Sequence, residues 1–193
     1  MILRHKGIEY QLSPLFFIIT SALLLFDKSG YMSFSLLFSA VHEIGHILMM
    51  FILGKPPKAI RIMFYGLEIK TSVFSKKEMI MIALSGPLVN ILISIIFIVL
   101  SMFFDDVGFA VLINLIIALF NLLPVSTLDG GDVLLSALSL KFDYYTSKKI
   151  AKNISLFFSI IILIFGVVLV FYNNFSIAFV GIYLFMCNLI KSD

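Results

Sequence analysis

Long apolar runs separated by short polar breaks constrain the fold of this chain more than any other feature. Six runs can be drawn, at about 12–26, 31–53, 79–104, 107–125, 154–171 and 175–190. An α-helix needs roughly 20 apolar residues to cross the hydrocarbon core of a bilayer. The first and last runs fall short of that, and flanking residues or a locally thinned bilayer make up the difference. Only 13% of the residues are charged and 61% are hydrophobic, where a soluble domain carries about 25% charge. The pattern predicts an all-α polytopic membrane protein: one integral-membrane domain over residues 1–193, with six transmembrane helices.

Charge placement tests this partition independently. With the N-terminus in the cytoplasm, the inside segments hold Arg4 and Lys6, the basic residues from Lys55 to Lys77, those from Lys141 to Lys152, and Lys191. Of the 14 basic residues only Lys28 is left outside, as the positive-inside rule requires. The expectation is a multi-pass cell-membrane protein with both termini cytoplasmic. Topology also accounts for the net charge of +3 without a nucleic-acid partner. Met1–Tyr10 is short and polar and does not read as a cleavable signal peptide. The single cysteine, Cys187, excludes an intrachain disulfide and reads as a buried thiol.

Two inside segments are not simple linkers. Ile60–Phe74, IRIMFYGLEIKTSVF, is rich in β-branched and aromatic residues and partly alternates. It predicts a short cytoplasmic-side β hairpin between spans two and three, with an amphipathic surface helix as the alternative. Around Asp129-Gly130-Gly131-Asp132, the glycines and the following apolar VLLSALSL suggest a loop that re-enters the protein before a brief helix. Irregular backbone is tolerated at membrane depth only where protein or a water-filled cavity covers it.

Inside the second run stands HEIGH, His42 to His46. Residues four apart share a helix face, so both imidazoles can reach one ion in this H-E-x-x-H pattern. Glu43 can then serve as general base for a metal-bound water. Gly45 leaves room for another backbone to approach. An isolated membrane histidine is usually packing glue, but an uncompensated charge within a span costs on the order of 3 kcal/mol or more, which favours a metal site over packing. From His46 to Gly54 is about 12 Å along a helix, which puts the site inside the hydrocarbon, nearer the cytoplasmic face. Catalytic zinc takes three protein ligands. His5 lies in the N-terminal tail, Asp105-Asp106 on the opposite side, and Asp143 in a polar stretch. Chemistry therefore leaves Asp129 or Asp132 as the third ligand and does not choose between them.

With these residues in view, the chain resembles the site-2 protease family of intramembrane zinc metalloproteases, and within it the short group containing the stage IV sporulation protease. HEIGH matches the family's early H-E-x-x-H helix. NLLPVSTLDGG, Asn121 to Gly131, matches its N-x-x-P…L-D-G-G pattern, and SGPLVN, Ser85 to Asn90, matches its G-P-x-x-N sequence. The resemblance implies one Zn2+ per chain held by His42, His46 and Asp129, with Glu43 catalytic. It also implies that Asn121 donates a hydrogen bond to the substrate carbonyl or developing oxyanion. Asn90, with Gly86 and Pro87, is expected to shape the third span and permit close helix contact. Many members carry a second proline where Thr127 stands here, and neither a PDZ nor a CBS domain is expected.

The function implied is hydrolysis of a peptide bond in or near the transmembrane segment of a membrane-anchored protein substrate, within the lipid bilayer. The strand-like segment could hold the unwound substrate by main-chain pairing. Two other classes fit less well. A membrane metal transporter would spread polar residues over several spans, whereas the last two are almost wholly apolar. A catalytically inactive substrate-binding scaffold would be expected to lose Glu43 or a ligand.

Overall fold

The computed structural model describes residues 2–5, 8–63, 66–70, 73–173 and 175–190. Among them the chain is mostly helical. The elements are β1 (Ile2–His5), β2 (Ile8–Leu12), α1 (Pro14–Phe26), α2 (Tyr31–Ile52), β3 (Ala59–Met63), β4 (Gly66–Lys70), α3 (Lys76–Leu100), α4 (Gly108–Asn121), α5 (Asp129–Leu138), α6 (Tyr144–Val170) and α7 (Ser176–Ile190). Each apolar run contains a helix. By length and composition α2, α3 and α6 can cross a membrane, while α4 and α7 are shorter apolar helices.

The chain is not purely α-helical. Strands β1, β2, β3 and β4 form one sheet in that order. β1–β2 and β3–β4 are antiparallel, and β2–β3 is parallel across the α1–α2 connection. The N-terminal residues, read above as a polar tail, contribute half of this sheet. The turn expected between β3 and β4 falls on residues 64 and 65, and the break expected at Asn173-Asn174 includes Asn174. All three lie outside the described residues.

Two compact units divide the chain, Met1–Ala118 and Leu119–Asp193. In the first, the helix ends are built from local polar chemistry. Asp27 accepts from the Ser33 amide at 2.8 Å, so a carboxylate satisfies one of the orphan amides that open α2. At the far end Gly54 adopts φ 69°, which L residues avoid. Lys55 N–H then bonds Met50 O and Gly54 N–H bonds Phe51 O, closing the helix with a Schellman motif. α3 opens with a capping box between Ser75 and Glu78. Glu78 also pairs with Lys55 at 2.8 Å, tying the end of α2 to the start of α3.

The interior of this unit is unusually polar. His42, His46, Ser85, Asn90, Ser94 and Asn114 are all buried, beside Phe38, Met50, Ile82, Ala83 and Ala110. The outside is the reverse: Ile18, Leu25, Ile52, Leu92 and Ile116 are exposed, as are Phe165, Phe171 and Phe179 in the second unit. Apolar surface on this scale is what lipid covers. Small residues and interhelical hydrogen bonds then hold the helices, because lipid removes the hydrophobic drive between them. The molecule is a membrane protein.

In the second unit α6 and α7 pack through glycines. A Cβ on Gly166 would lie 2.6 Å from Ala178 Cα, and one on Gly181 would lie 2.7 Å from Leu163 Cα. Asn188 is buried between them. Its Nδ2 donates to Ser159 Oγ at 2.7 Å, and its Oδ1 accepts from Ser155 Oγ at 2.6 Å and Ser126 Oγ at 2.9 Å. Ser155 and Asn188 thus both reach Ser126, in the loop that leads into α5.

Candidate metal centre

α2 places His42 and His46 on its buried face and leaves Glu43 half-buried. The face is closed by the backbone of α3. A Cβ on Gly45 would stand 3.0 Å from Ser85 O and 3.2 Å from Gly86 Cα. Glycine at 45 is thus what lets α3 come close enough to touch both imidazoles.

Those contacts orient the rings. His42 Nδ1 lies 2.7 Å from Asn90 Oδ1, and His46 Nδ1 lies 2.7 Å from Ile82 O. Both partners are acceptors, so both Nδ1 atoms carry hydrogen and donate. In a neutral ring that makes Nε2 the nitrogen that bears the lone pair. The two Nε2 atoms face each other at 3.2 Å, with ring planes 81° apart. Two lone pairs so close repel unless something positive lies between or beside them. Residue 86 has to be glycine beside them: a Cβ there would meet the Nε2 atoms of both histidines. Pro87, with no N–H for the Ala83 carbonyl, disturbs the same turn of α3 that offers Ile82 O to His46. Donor type and tautomer fit a soft-to-borderline divalent cation such as zinc.

The other sequence-predicted residues lie in the second unit. Asn121 ends α4 and is half-buried. A tight turn follows, with Val125 N–H on Leu123 O and Leu128 N–H on Val125 O. Asp129, half-buried, is the first residue of α5. Gly130 and Gly131 are buried, and a Cβ on either would collide with the carbonyls of Leu122, Leu123 or Val125. The two glycines therefore seat the first turn of α5 against the preceding loop. Ser126 N–H donates to Ser155 Oγ at 2.8 Å and fastens that loop to α6. Asp132 is exposed and lines a cavity of about 170 Å3 with Lys148, Lys152 and Tyr144.

Asn90 is the residue that sequence reasoning undervalued: expected to shape a helix, it holds the His42 ring. Its place four residues after Gly86, in the helix that Gly45 admits, was the available signal.

A membrane-type helix carrying an H-E-x-x-H pair, with both rings held for ligation through Nε2, defines a metallopeptidase-like membrane protein. Comparison with known proteins narrows the class. A model of peptidase family M50 matches residues 104–166. A zinc metalloprotease of Methanocaldococcus jannaschii is 33% identical over 163 residues, which cover 79% of this chain and 48% of that protein. The chain thus spans about half the length of this curated relative. The solved structure of a site-2 protease from the same organism superposes with a TM-score of 0.73 at 26% identity, covering 100% of this chain and 95% of that one. The chain thus resembles peptidase family M50 in sequence and a site-2 protease in fold.

Proposed function

We propose that this protein is an intramembrane zinc endopeptidase that cleaves a membrane-anchored protein in or near its transmembrane segment. One observation carries the reading: two buried imidazoles with Nδ1 engaged and Nε2 atoms converging at 3.2 Å, beside a glutamate on the same helix. His42, His46 and Asp129 are the metal ligands, each able to offer one ligand atom. Family resemblance supports Asp129 over Asp132. A zinc ion held there supplies a Lewis acid that makes water a nucleophile near neutral pH.

The remaining chemistry belongs to the chain. Glu43 takes a proton from the attacking water as its oxygen bonds to the scissile carbonyl carbon. It then delivers that proton to the departing amide nitrogen, and the C–N bond breaks. Asn121 donates to the carbonyl oxygen as negative charge develops there. The protein acts as one integral-membrane domain in the cell membrane, with six spans, both termini cytoplasmic and the β3–β4 pair on the cytoplasmic side. The exposed apolar helices and the distribution of lysines support that arrangement.

Co-expression with candidate single-span substrates tests the mechanism. Glu43→Gln should keep stoichiometric zinc while cleavage falls by about 100-fold or more. Retained cleavage would reject the role of Glu43. Zinc kept by Asp129→Ala but lost by Asp132→Ala would reverse the choice of third ligand.

A further inference from the structure

The second helix neighbour of His42 carries a polar chain that the proposed mechanism does not use. It begins at the backbone carbonyl of Ala110, which can only accept. Asn114 Nδ2 donates to it at 2.9 Å, which turns Asn114 Oδ1 towards Asn90. Asn90 Nδ2 donates to that Oδ1 at 2.8 Å and to a second carbonyl, Phe38 O, at 3.3 Å. Its own Oδ1 is thereby left facing His42, whose Nδ1–H donates to it at 2.7 Å. Turning over either amide would set donor against donor or acceptor against acceptor. Both asparagines are 0% exposed and His42 is 4% exposed, so no water can repair a mismatch and each would leave a costly buried orphan.

We propose that Asn90 and Asn114 form a positioning relay that fixes the tautomer and plane of the His42 ring, presenting Nε2 to the metal. Two backbone carbonyls thus set the state of a ligand nitrogen through side chains on α3 and α4. His46 needs no such relay, because Ile82 O accepts from its Nδ1–H directly. The inference rests on the reading of His42 as a ligand and adds Asn90 and Asn114, which touch neither substrate nor reacting atoms.

Metal affinity of the purified full-length protein, measured by zinc competition and by the absorption spectrum of bound Co(II), tests the relay. Asn90→Leu should weaken binding by about 10- to 100-fold, the usual cost of losing a hydrogen-bond partner of a metal-bound histidine. Asn90→Asp should stay within about threefold of wild type, because a carboxylate accepts from Nδ1–H at least as well. A residue that only packs would show the opposite order, since the carboxylate of the Asn90→Asp variant would face Asn114 Oδ1 and Phe38 O without a donor. Asn114→Leu, which does not touch the ring, should weaken binding by at least about threefold. It also carries the test if Asn90→Leu fails to fold. Wild-type affinity in Asn90→Leu or Asn114→Leu, or Asn90→Asp as weak as Asn90→Leu, would overturn the relay. His42→Ala separates the two readings. If it keeps wild-type affinity, the metal-ligand assignment falls and the relay with it. If it loses the metal while Asn90→Leu does not, the relay alone is wrong.

Discussion

At the scale of single residues, the histidine pair owes as much to an absent side chain as to those present. Gly86 faces both Nε2 atoms, and the carbon that alanine would add there has nowhere to go but into the rings. Gly86→Ala should therefore reduce zinc affinity by more than about tenfold. Overpacking should also cost about 1–3 kcal/mol of stability. Zinc titration beside thermal unfolding in detergent checks both, and an alanine variant with wild-type zinc affinity would mean that the space in front of the rings is not where the ion sits. His42, Glu43 and His46 were legible from sequence because an i, i+4 pair on a helix is a local geometry. The bond from His42 to Asn90 was not, since the partners stand 48 residues apart and depend on how α2 and α3 pack. Choosing Asp129 over Asp132 likewise took resemblance, because two carboxylates three residues apart offer the same chemistry.

At the scale of elements, helices were read well and strands less so. An apolar run in lipid has little choice but to be helical, because its backbone must bond internally. The N-terminal pair β1–β2 was missed although Ile8-Glu9-Tyr10-Gln11-Leu12 alternates. A five-residue strand is stabilised by its neighbours more than by its own pattern, and β2 is completed by β3 from a distant part of the chain. Strand β4 lies at one edge of that sheet. A proline placed in β4 should lower substrate cleavage and leave zinc content unchanged if this edge holds an extended substrate. Undiminished cleavage would remove β4 from the mechanism.

Another element-level effect depends on pH. Asp143 caps α6 by accepting from the Thr146 amide at 2.9 Å, and that backbone hydrogen bond holds its carboxyl below the usual carboxylate range. A lowered folded pKa means that the cap is fully stabilising above the ordinary value of about 4. The contribution is then lost as pH falls through the folded value. Asp143→Ala should lower the thermal midpoint at pH 7, and the gap to wild type should narrow below about pH 4. A gap constant across that range would show that the carboxylate is not what caps the helix.

At the scale of the whole molecule, the distribution of polarity is the reverse of a soluble fold: asparagine, serine and histidine inside, leucine, isoleucine and phenylalanine outside. That reversal explains how the last two apolar runs could read as featureless and still contain Ser155, Ser159 and Asn188 in one buried network. Their polar atoms are few because lipid tolerates few, and each is used. The same economy makes orientation testable. If the lysines mark the cytoplasmic side, the Asp27–Gly30 break containing Lys28 must face out, and the segment from Lys141 to Lys152 must face in. With Cys187 replaced by serine, single cysteines at Ser29 and Lys141 give a direct test; both positions are exposed. A membrane-impermeant maleimide should label Ser29→Cys on intact cells and Lys141→Cys only after the membrane is opened. The opposite pattern would invert the topology. It would place the histidine pair nearer the outer face, because His46 lies six residues, about 9 Å, from the Ile52 end of α2 on the lysine-rich side. Labelling of both on intact cells would require an even number of spans between them instead of three, and the six-span partition would have to be redrawn.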